Sequence, residues 1–139
     1  MEIFQSSMVW DAHSGFMPDE RADLGNLKLW KDAGVGYLSI DVGFDLLPWE
    51  KTVANLKAFR GWILDHPDEY VIVRTVAEIH QAKRDHRMAV TFDIEGMNAL
   101  NGRLDMVEFY HRLGVRQILL AYNRDNLAGG GCHGSVDRL

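Results

Sequence analysis

The sequence predicts an α/β fold in which parallel strands alternate with helices, built either as an open doubly wound sheet or as part of a (β/α) barrel. Two observations lead to this prediction. Short apolar segments recur along the chain, and each is followed by a longer segment with apolar residues at helical spacing. Acidic, histidine and amide residues stand at the ends of the apolar segments, where the loops of either architecture meet at one ligand-binding mouth.

The first half of the chain contains two predicted strands, each followed by a predicted helix. The first strand is SSMVWDA, and the helix after it is ADLGNLKLWKDAG, in which Leu24, Leu27 and Trp30 share one face and Gly34 ends the helix. The second strand is VGYLSIDVG. The second helix, LPWEKTVANLKAFRGWILDHP, has a proline near its start and another just past its end. Its predicted apolar face consists of Trp49, Val53, Leu56, Phe59 and Ile63.

The second half contains three more predicted strands and two more helices. The third strand is YVIVRT, and the helix after it begins at a capping box formed by Thr75 and Glu78. The fourth strand, RMAVTFDIEG, is apolar with little interruption, which predicts burial on both faces. A helix in RLDMVEFYHRLG stops at Gly114, and the fifth strand is VRQILLAYN. The predicted apolar face of that helix consists of Leu104, Val107, Phe109, Tyr110 and Leu113.

The tail of the chain, RDNLAGGGCHGSVDRL, is rich in glycine and has no periodicity. Cys132 and His133 are adjacent, a spacing that does not match a zinc site. The three glycines before them are followed by neither a helix start nor a lysine, so a phosphate-binding loop is not indicated. We expect this segment to form a flexible rim of the pocket.

Composition indicates one globular domain over residues 1–139, with 47% hydrophobic and 25% charged residues. The net charge is −5 and no basic run occurs, so nucleic acid is not an expected partner. The chain has no apolar run of about eighteen residues and no secretory signal pattern, so we expect a soluble chain without a membrane partner. The single cysteine, Cys132, fits a cytoplasmic location.

His13 and Glu95 are the residues whose type and position most directly indicate a functional site. His13 follows the first strand and is either a metal ligand or a hydrogen-bonded turn histidine. Glu95 ends a strand that is predicted to be buried, where an unpaired carboxylate costs several kcal/mol. It therefore needs a cation or strong donors, and the alternative to a metal is an ion pair with Arg74 or Arg116.

The remaining polar residues have less specific interpretations. Asp93 points to the same face as Glu95, where it either orients a metal ligand or makes a structural pair; structural pairing is the preferred reading. Asp41 and Asp45 are interpreted as turn formers around Gly43. The histidines in or at the ends of predicted helices are expected to be solvated: His66, His80, His86 and His111.

Three segments in order, WDAHSGF, FDIEGMNAL and LGVRQILLAYNRDNLAGGGC, resemble the renal (membrane) dipeptidase family of metallopeptidases. That family has an acid-x-His-x-Asp motif after its first strand and an Ile-Glu-Gly motif on a middle strand. A Gly-Val-Arg strand follows, ending in a His-or-Tyr-Asn pair. The resemblance covers nearly the whole chain, and the order of the three motifs makes it fairly specific.

The resemblance implies a (β/α) barrel of the metal-dependent hydrolase type with two zinc ions, in which a metal-bridging hydroxide attacks the amide carbonyl of a dipeptide. It assigns His13 as a ligand of the first metal and Glu95 as the bridging, catalytic carboxylate. Tyr122 falls at the position of a substrate-contacting residue, with Asn123 beside it. Metal-activated water would supply the nucleophile and the metals would polarise the carbonyl.

Two features depart from the family pattern. The family's aspartate two residues after the histidine is Gly15 here, which has no side chain to coordinate. Ser14 or Asp11 is an alternative ligand, or the site holds one metal or none. A complete barrel takes about 250 residues, so the chain corresponds to the N-terminal part of one, with about five strands and four helices. The family's other histidine ligands come from later strands.

The expected function is therefore that of a zinc-dependent dipeptidase-like hydrolase acting on a dipeptide or a related amide. The alternative is a non-catalytic or single-metal barrel fragment that binds a small peptide-like or carboxylate ligand; a single-metal enzyme would hydrolyse a lactone or another amide. An unpaired last strand and an open interior predict either a homo-oligomer or a further length of polypeptide that completes the barrel.

Overall fold

The computed structural model describes residues 7–16 and 23–134. Its strands are β1 (Val9–Gly15), β2 (Val35–Phe44), β3 (Tyr70–Ile72), β4 (Met88–Glu95) and β5 (Val115–Leu119). Its helices are α1 (Leu27–Asp32), α2 (Trp49–Leu64), α3 (Val76–Arg84), a 3₁₀ helix (Met97–Leu100) and α4 (Asp105–Leu113). The predicted positions Ser6, Ala22 and 135–139 lie outside the described residues. Among those described, no helix is long and apolar enough to span a membrane.

All five strands form one parallel sheet, as predicted. β4 lies at its centre, with β2 along one edge and β1 beyond β2. The other edge of β4 is shared, because β3 pairs with its first residues, 88–90, and β5 pairs with its last, 92–95. The strands that reach the carboxyl end of the sheet therefore run in the order β1-β2-β4-β5, which follows the chain order with β3 left out.

The two faces of β2 and β4 differ in chemistry because side chains alternate along a strand. One face is apolar, fully buried, and packed in one core with residues of α2 and α4; it carries Leu38, Ile40, Val42, Val90, Phe92 and Ile94. The opposite face carries the polar residues Tyr37, Ser39, Asp41, Thr91, Asp93 and Glu95. At the amino end of this second face, α3 packs against Tyr37 and Ala89 through Ile79 and Ala82. The polar face is thus covered by α3 at the amino end of the strands, and its acidic residues lie at the carboxyl end.

The sheet is strongly curved. The side-chain amide of Gln117 on β5 donates a hydrogen bond of 2.9 Å to the backbone carbonyl of Ala12 on β1. In a flat sheet those strands, separated by β2 and β4, would lie about 14 Å apart, far beyond the reach of a glutamine side chain. The contact favours the barrel alternative over the open doubly wound sheet, and the chain forms a partial (β/α) barrel with its polar face on the concave side.

Local sequence signals for helix ends are confirmed at two points. The Thr75 side chain accepts a hydrogen bond from the Glu78 backbone N–H, and the Glu78 carboxylate accepts one from the Thr75 backbone N–H, which is the predicted capping box. Gly114 follows α4 with a φ of 109°, a left-handed conformation that glycine adopts without the strain of a side chain.

The predicted apolar face of α4 is partly wrong. Leu104 is 83% exposed, and Val107 and Phe109 are also exposed, whereas the buried residues of this helix are Met106 and Tyr110. Leu104 precedes the first helical residue, and only one narrow stripe of the helix contacts the sheet. Tyr110 is fixed there by a hydrogen bond of 2.9 Å from its hydroxyl to the carbonyl of Ala99.

Candidate functional site

His13 lies between two carboxylates at the carboxyl end of the sheet. Its Nδ1 is 2.7 Å from Oδ1 of Asp93, and its Nε2 is 3.2 Å from Oε1 of Glu95. β1 and β4 are separated by β2, so only the curvature of the sheet lets side chains from the two strands meet. The two residues predicted as metal ligands are therefore in direct contact.

Neither Arg74 nor Arg116, the alternative partners considered for Glu95, is paired with it in the described part of the chain. Arg116 donates to the backbone carbonyls of His111 and Val115, each at 2.8 Å. The backbone N–H of Arg74 donates to the carboxylate of Glu78 at the start of α3. The partner of Glu95 is His13, so the alternative of an ion pair with an arginine is not found among the described residues.

Asp93 is the residue to whose role the structure adds most. It is 4% exposed; its Oδ1 binds His13 and its Oδ2 accepts a hydrogen bond of 2.5 Å from the hydroxyl of Ser39, which is fully buried. Structural pairing was the preferred reading from sequence. The bond with Ser39 is such a structural pair, and the contact with His13, the candidate metal ligand, adds the geometry of an orienting carboxylate.

The surroundings of His13 favour its protonated form. Burial lowers the pKa of His13, but the hydrogen bond to Asp93 and the charges of Asp93, Glu95 and Asp41 outweigh burial and raise it above the ordinary value of 6.5. Without a cation, the two carboxylates therefore favour a hydrogen on the ring nitrogens that face them. A metal at Nε2 would replace the proton on that nitrogen.

Asp41 lies within β2, at an irregularity in the pairing with β4, rather than in the predicted turn, and it belongs to the acidic end of the sheet. Its carboxylate accepts a hydrogen bond of 3.0 Å from the backbone N–H of Gly43. Burial, together with the charges of Asp93 and Glu95, raises the pKa of Asp41 to about 7. On the neighbouring strand, Gly15 is its register partner, so the missing family aspartate would stand beside Asp41.

Asp45 lies in the turn that follows β2, as predicted, and it also has a role that the sequence did not indicate. Although it is 5% exposed, its carboxylate accepts hydrogen bonds from the backbone N–H groups of Asn123, at 2.6 Å, and Arg124, at 2.7 Å. The side-chain amide of Asn123 donates to it as well, at 3.3 Å. Asp45 therefore ties the segment after β5 to the end of β2. Sequence reasoning missed this role because an aspartate between glycine and proline is typical of a turn.

The predicted substrate-binding residues lie in this tied segment. Asn123 is half-buried and directs its amide toward Asp45, whereas the side chain of Tyr122 is 43% exposed. The glycine-rich tail, predicted to be a flexible rim, folds back on the same segment: the N–H groups of Cys132 and His133 donate to the carbonyls of Tyr122 and Asn123. Contact with substrate remains a prediction for both residues.

Comparison with known proteins identifies the family. The family model described as membrane dipeptidase (peptidase family M19) matches residues 45–137, which include Glu95, Tyr122 and Asn123. The chain belongs to the membrane dipeptidase family. One relative is the dipeptidase ataJ of Aspergillus terreus, 25% identical over 88 residues, which are 63% of this chain and 21% of that protein. The chain thus spans about a fifth of the length of this curated relative.

Solved structures show the same fold. An amidohydrolase from Pseudomonas aeruginosa superposes with a TM-score of 0.82 at 24% identity, covering 95% of this chain and 39% of that one. The probable dipeptidase PvdM from the same organism has a TM-score of 0.75 at 14% identity, with 92% and 38% covered. A dipeptidase described as a metallopeptidase of family M19 has a TM-score of 0.66 at 18% identity, with 80% and 41% covered.

The membrane dipeptidase family implies a metal, and the donor set is partly suited to one. A histidine nitrogen and a carboxylate oxygen are ligands that zinc prefers, and two ligands each about 2.1 Å from a tetrahedral ion lie about 3.4 Å apart. The 3.2 Å between Nε2 of His13 and Oε1 of Glu95 is close to that spacing. Within 7–16 and 23–134, no cluster of three such residues has metal-binding geometry. These residues therefore fit a metal as a pair of ligands and do not close a site.

A separate cleft of about 700 Å³ opens on the same end of the dipeptidase fold. It lies between the loops after β2 and β4 and the tail, and its lining includes Trp49, Met97, Leu100 and Leu127. His13 and Glu95 are not among its lining residues. The sequence predicted one pocket at the mouth of the strands, whereas the described part of the chain separates this apolar cleft from the acidic site.

Proposed function

We propose that this chain forms part of a zinc-dependent hydrolase that cleaves a dipeptide or a related amide through metal-activated water. The observation that carries the proposal is the pairing of His13 and Glu95, with Nε2 and Oε1 at 3.2 Å, at the carboxyl end of the parallel strands. This is the end at which barrel enzymes place their reacting groups. Membership of the membrane dipeptidase family supports the reaction class.

His13 and Glu95 would hold the metal, and the family's other ligands would come from strands beyond β5. When bound, zinc would polarise the substrate carbonyl and lower the pKa of a coordinated water. His13 would present Nε2 while Asp93 retains the hydrogen on Nδ1. Glu95 would offset the charge of the cation and accept the proton that the attacking water loses. In this chemistry each described residue acts through an atom that already faces the site.

Tyr122 is the stronger candidate for contact with substrate. The amide of Asn123 is engaged by Asp45, whereas the ring of Tyr122 is 43% exposed at the same end of the sheet. A phenolic hydroxyl can donate to the carbonyl or carboxylate of a peptide substrate. Replacement of Tyr122 by phenylalanine is therefore expected to weaken substrate binding more than replacement of Asn123 by serine.

The test is zinc binding by the intact protein, measured by calorimetry and by metal analysis after dialysis, with dipeptide hydrolysis measured on the same samples. We expect the His13→Ala and Glu95→Gln variants each to lower zinc affinity by 10-fold or more. His80→Ala is the matched control, because His80 is an exposed histidine on α3. Zinc affinity that is equal in His13→Ala and His80→Ala would refute the proposal.

A second candidate is a non-catalytic or single-metal member that binds a small peptide-like or carboxylate ligand. Gly15 favours this candidate, because it stands where the family has an acidic ligand. The same samples separate the two: hydrolysis of dipeptides by the zinc-loaded protein supports the enzyme, whereas dipeptide binding without turnover supports the binding protein.

A further inference from the structure

The concave face of β2 and β4 carries two consecutive polar pairs that differ in charge. Nearer the end covered by α3, the hydroxyls of Tyr37 and Thr91 form a neutral hydrogen bond of 2.6 Å. One step nearer the site, Ser39 donates to Asp93 at 2.5 Å, and Asp93 contacts His13 at 2.7 Å. Of these two pairs, only the one that touches the candidate metal ligand contains an acidic side chain.

We infer that Ser39 and Asp93 form a positioning unit that fixes the tautomer and the ring orientation of His13. The unit holds the hydrogen on Nδ1 and leaves Nε2 as the nitrogen directed toward Glu95. The inference rests on the proposed function for the use made of Nε2, but the state of the ring is measurable without a metal.

The chemistry of the contact determines which nitrogen carries the hydrogen. An ionised carboxylate only accepts hydrogen bonds, so the 2.7 Å contact requires a hydrogen on Nδ1 of His13. In the neutral imidazole, the lone pair is then on Nε2. A neutral ring can donate to only one carboxylate. The 2.7 Å contact of Nδ1 with Asp93 is shorter than the 3.2 Å contact of Nε2 with Glu95, so the hydrogen is assigned to Nδ1 and the lone pair on Nε2 faces the site.

Ser39 holds the carboxylate of Asp93 in place, and Asp93 in turn holds the ring of His13. Asp93 is 4% exposed, and a carboxylate buried to this extent needs strong donors. Ser39 supplies one to Oδ2 and His13 the other to Oδ1, so both oxygens of Asp93 are occupied. The carboxylate cannot rotate without losing one of these bonds, whereas His13 itself, with 49% of its side chain exposed, has little packing to hold it.

The experiment measures the ring nitrogens of His13 by ¹⁵N NMR in the metal-free intact protein, with the pH raised until the titration of this ring is complete and the neutral form is observed. We expect the wild type to show the Nδ1–H tautomer. In Asp93→Asn the side-chain NH₂ faces Nδ1 if Ser39 keeps its bond to the oxygen, so the tautomer shifts toward Nε2–H. Ser39→Ala is expected to give a mixture of the two.

Zinc affinity is the second measurement on the same proteins. We expect a 10- to 100-fold loss for Asp93→Asn, as for other partners of metal-bound histidines, and a smaller loss for Ser39→Ala. Thr91→Val is the matched control, because it removes the neutral hydrogen bond on the same face of the same strands and leaves His13 untouched. It should change neither the tautomer nor the affinity.

The outcomes separate the positioning unit from the proposed function. If Asp93→Asn and Ser39→Ala both leave His13 in the wild-type tautomer, the positioning unit is refuted whatever zinc does. If the tautomer shifts but the wild type binds no zinc, the unit stands and the metal-dependent function fails. Should Asp93→Asn prove too unstable to study, Ser39→Ala against Thr91→Val decides the question, since both lose one buried hydroxyl.

Discussion

Asp45 holds Asn123 by two hydrogen bonds to its carboxylate, from the backbone N–H at 2.6 Å and from the side-chain amide at 3.3 Å. The backbone N–H of Arg124 adds a third at 2.7 Å. The backbone carbonyl of Asp45 also accepts a bond from Asn98 in the 3₁₀ helix. One buried residue thus joins the ends of β2, β4 and β5 at the face that carries the candidate site.

Replacement of Asp45 by alanine is expected to lower the free energy of unfolding by about 2–3 kcal/mol, because three donors lose their acceptor. The measurement is urea denaturation, together with hydrogen exchange of the Asn123 and Arg124 amides, which should become faster. Asp68→Ala, at an exposed position between α2 and β3, is the control. An exchange rate at Asn123 that does not change would contradict the role assigned to Asp45.

Gly96 is expected to tolerate no side chain. Its φ is 99°, and a Cβ at this position would lie 2.9 Å from the Cβ of Asp45. We expect Gly96→Ala to destabilise the protein by about 2 kcal/mol or more, through strain and through displacement of Asp45. Gly61→Ala, within α2 and with open space around its Cβ, should instead be stabilising by about 0.5–1 kcal/mol. Thermal unfolding of both variants is the measurement: the melting temperature should fall for Gly96→Ala and rise for Gly61→Ala.

The vacant position at Gly15 can be tested by restoring the family's aspartate. No atom lies within 4 Å of a Cβ built at Gly15, so Gly15→Asp should fold. Its carboxylate would stand beside Asp41, so without metal we expect a small loss of stability from like charges. With zinc, the gain in melting temperature should exceed that of the wild type, because tighter binding stabilises the native state more. Gly15→Asn is the neutral control. An equal rise in melting temperature with zinc for Gly15→Asp and Gly15→Asn would contradict a role for this position.

Asp41 should make stability fall between about pH 4 and pH 7 in the metal-free protein. Its pKa is raised from 3.8 to about 7, so in this range the native state keeps a proton that the unfolded state has released. Each rise in pH therefore favours unfolding until both states are ionised. Asp41→Asn removes this titration and should gain stability relative to wild type from pH 4 to pH 8, by about 1 kcal/mol once solvent screening is allowed for. The measurement is urea denaturation of both proteins across this range with a chelator present, and a difference independent of pH would contradict the raised pKa.

The sequence was most informative where local chemistry alone decides the structure. Short stretches of sequence were enough to predict three features: the capping box at Thr75, the helix stop at Gly114 and the buried strand β4. The pairing of His13 with Glu95 could also be anticipated, because the carboxyl ends of parallel strands meet at one edge. In each case the prediction needed only the periodicity or the strand order.

The parts that sequence did not predict depend on contacts between distant segments. Asp45 and Asn123 are 78 residues apart, and a turn-like context conceals a buried acceptor. β3 pairs with only the first residues of β4, so it does not reach the site, and no periodicity distinguishes it from a full barrel strand. On α4, the buried stripe depends on where the helix meets the sheet, which left Leu104 exposed and buried Met106 instead.

The hydrogen bond from Gln117 to Ala12 sets the order in which this structure can be made. The two residues are 105 positions apart, so the contact is among those with the highest closure entropy in the chain. The partners of His13, Asp93 and Glu95, are on β4 and precede Gln117 in the chain. During synthesis they can therefore meet His13 once β4 has left the ribosome, whereas the bond that bridges β1 and β5 forms later.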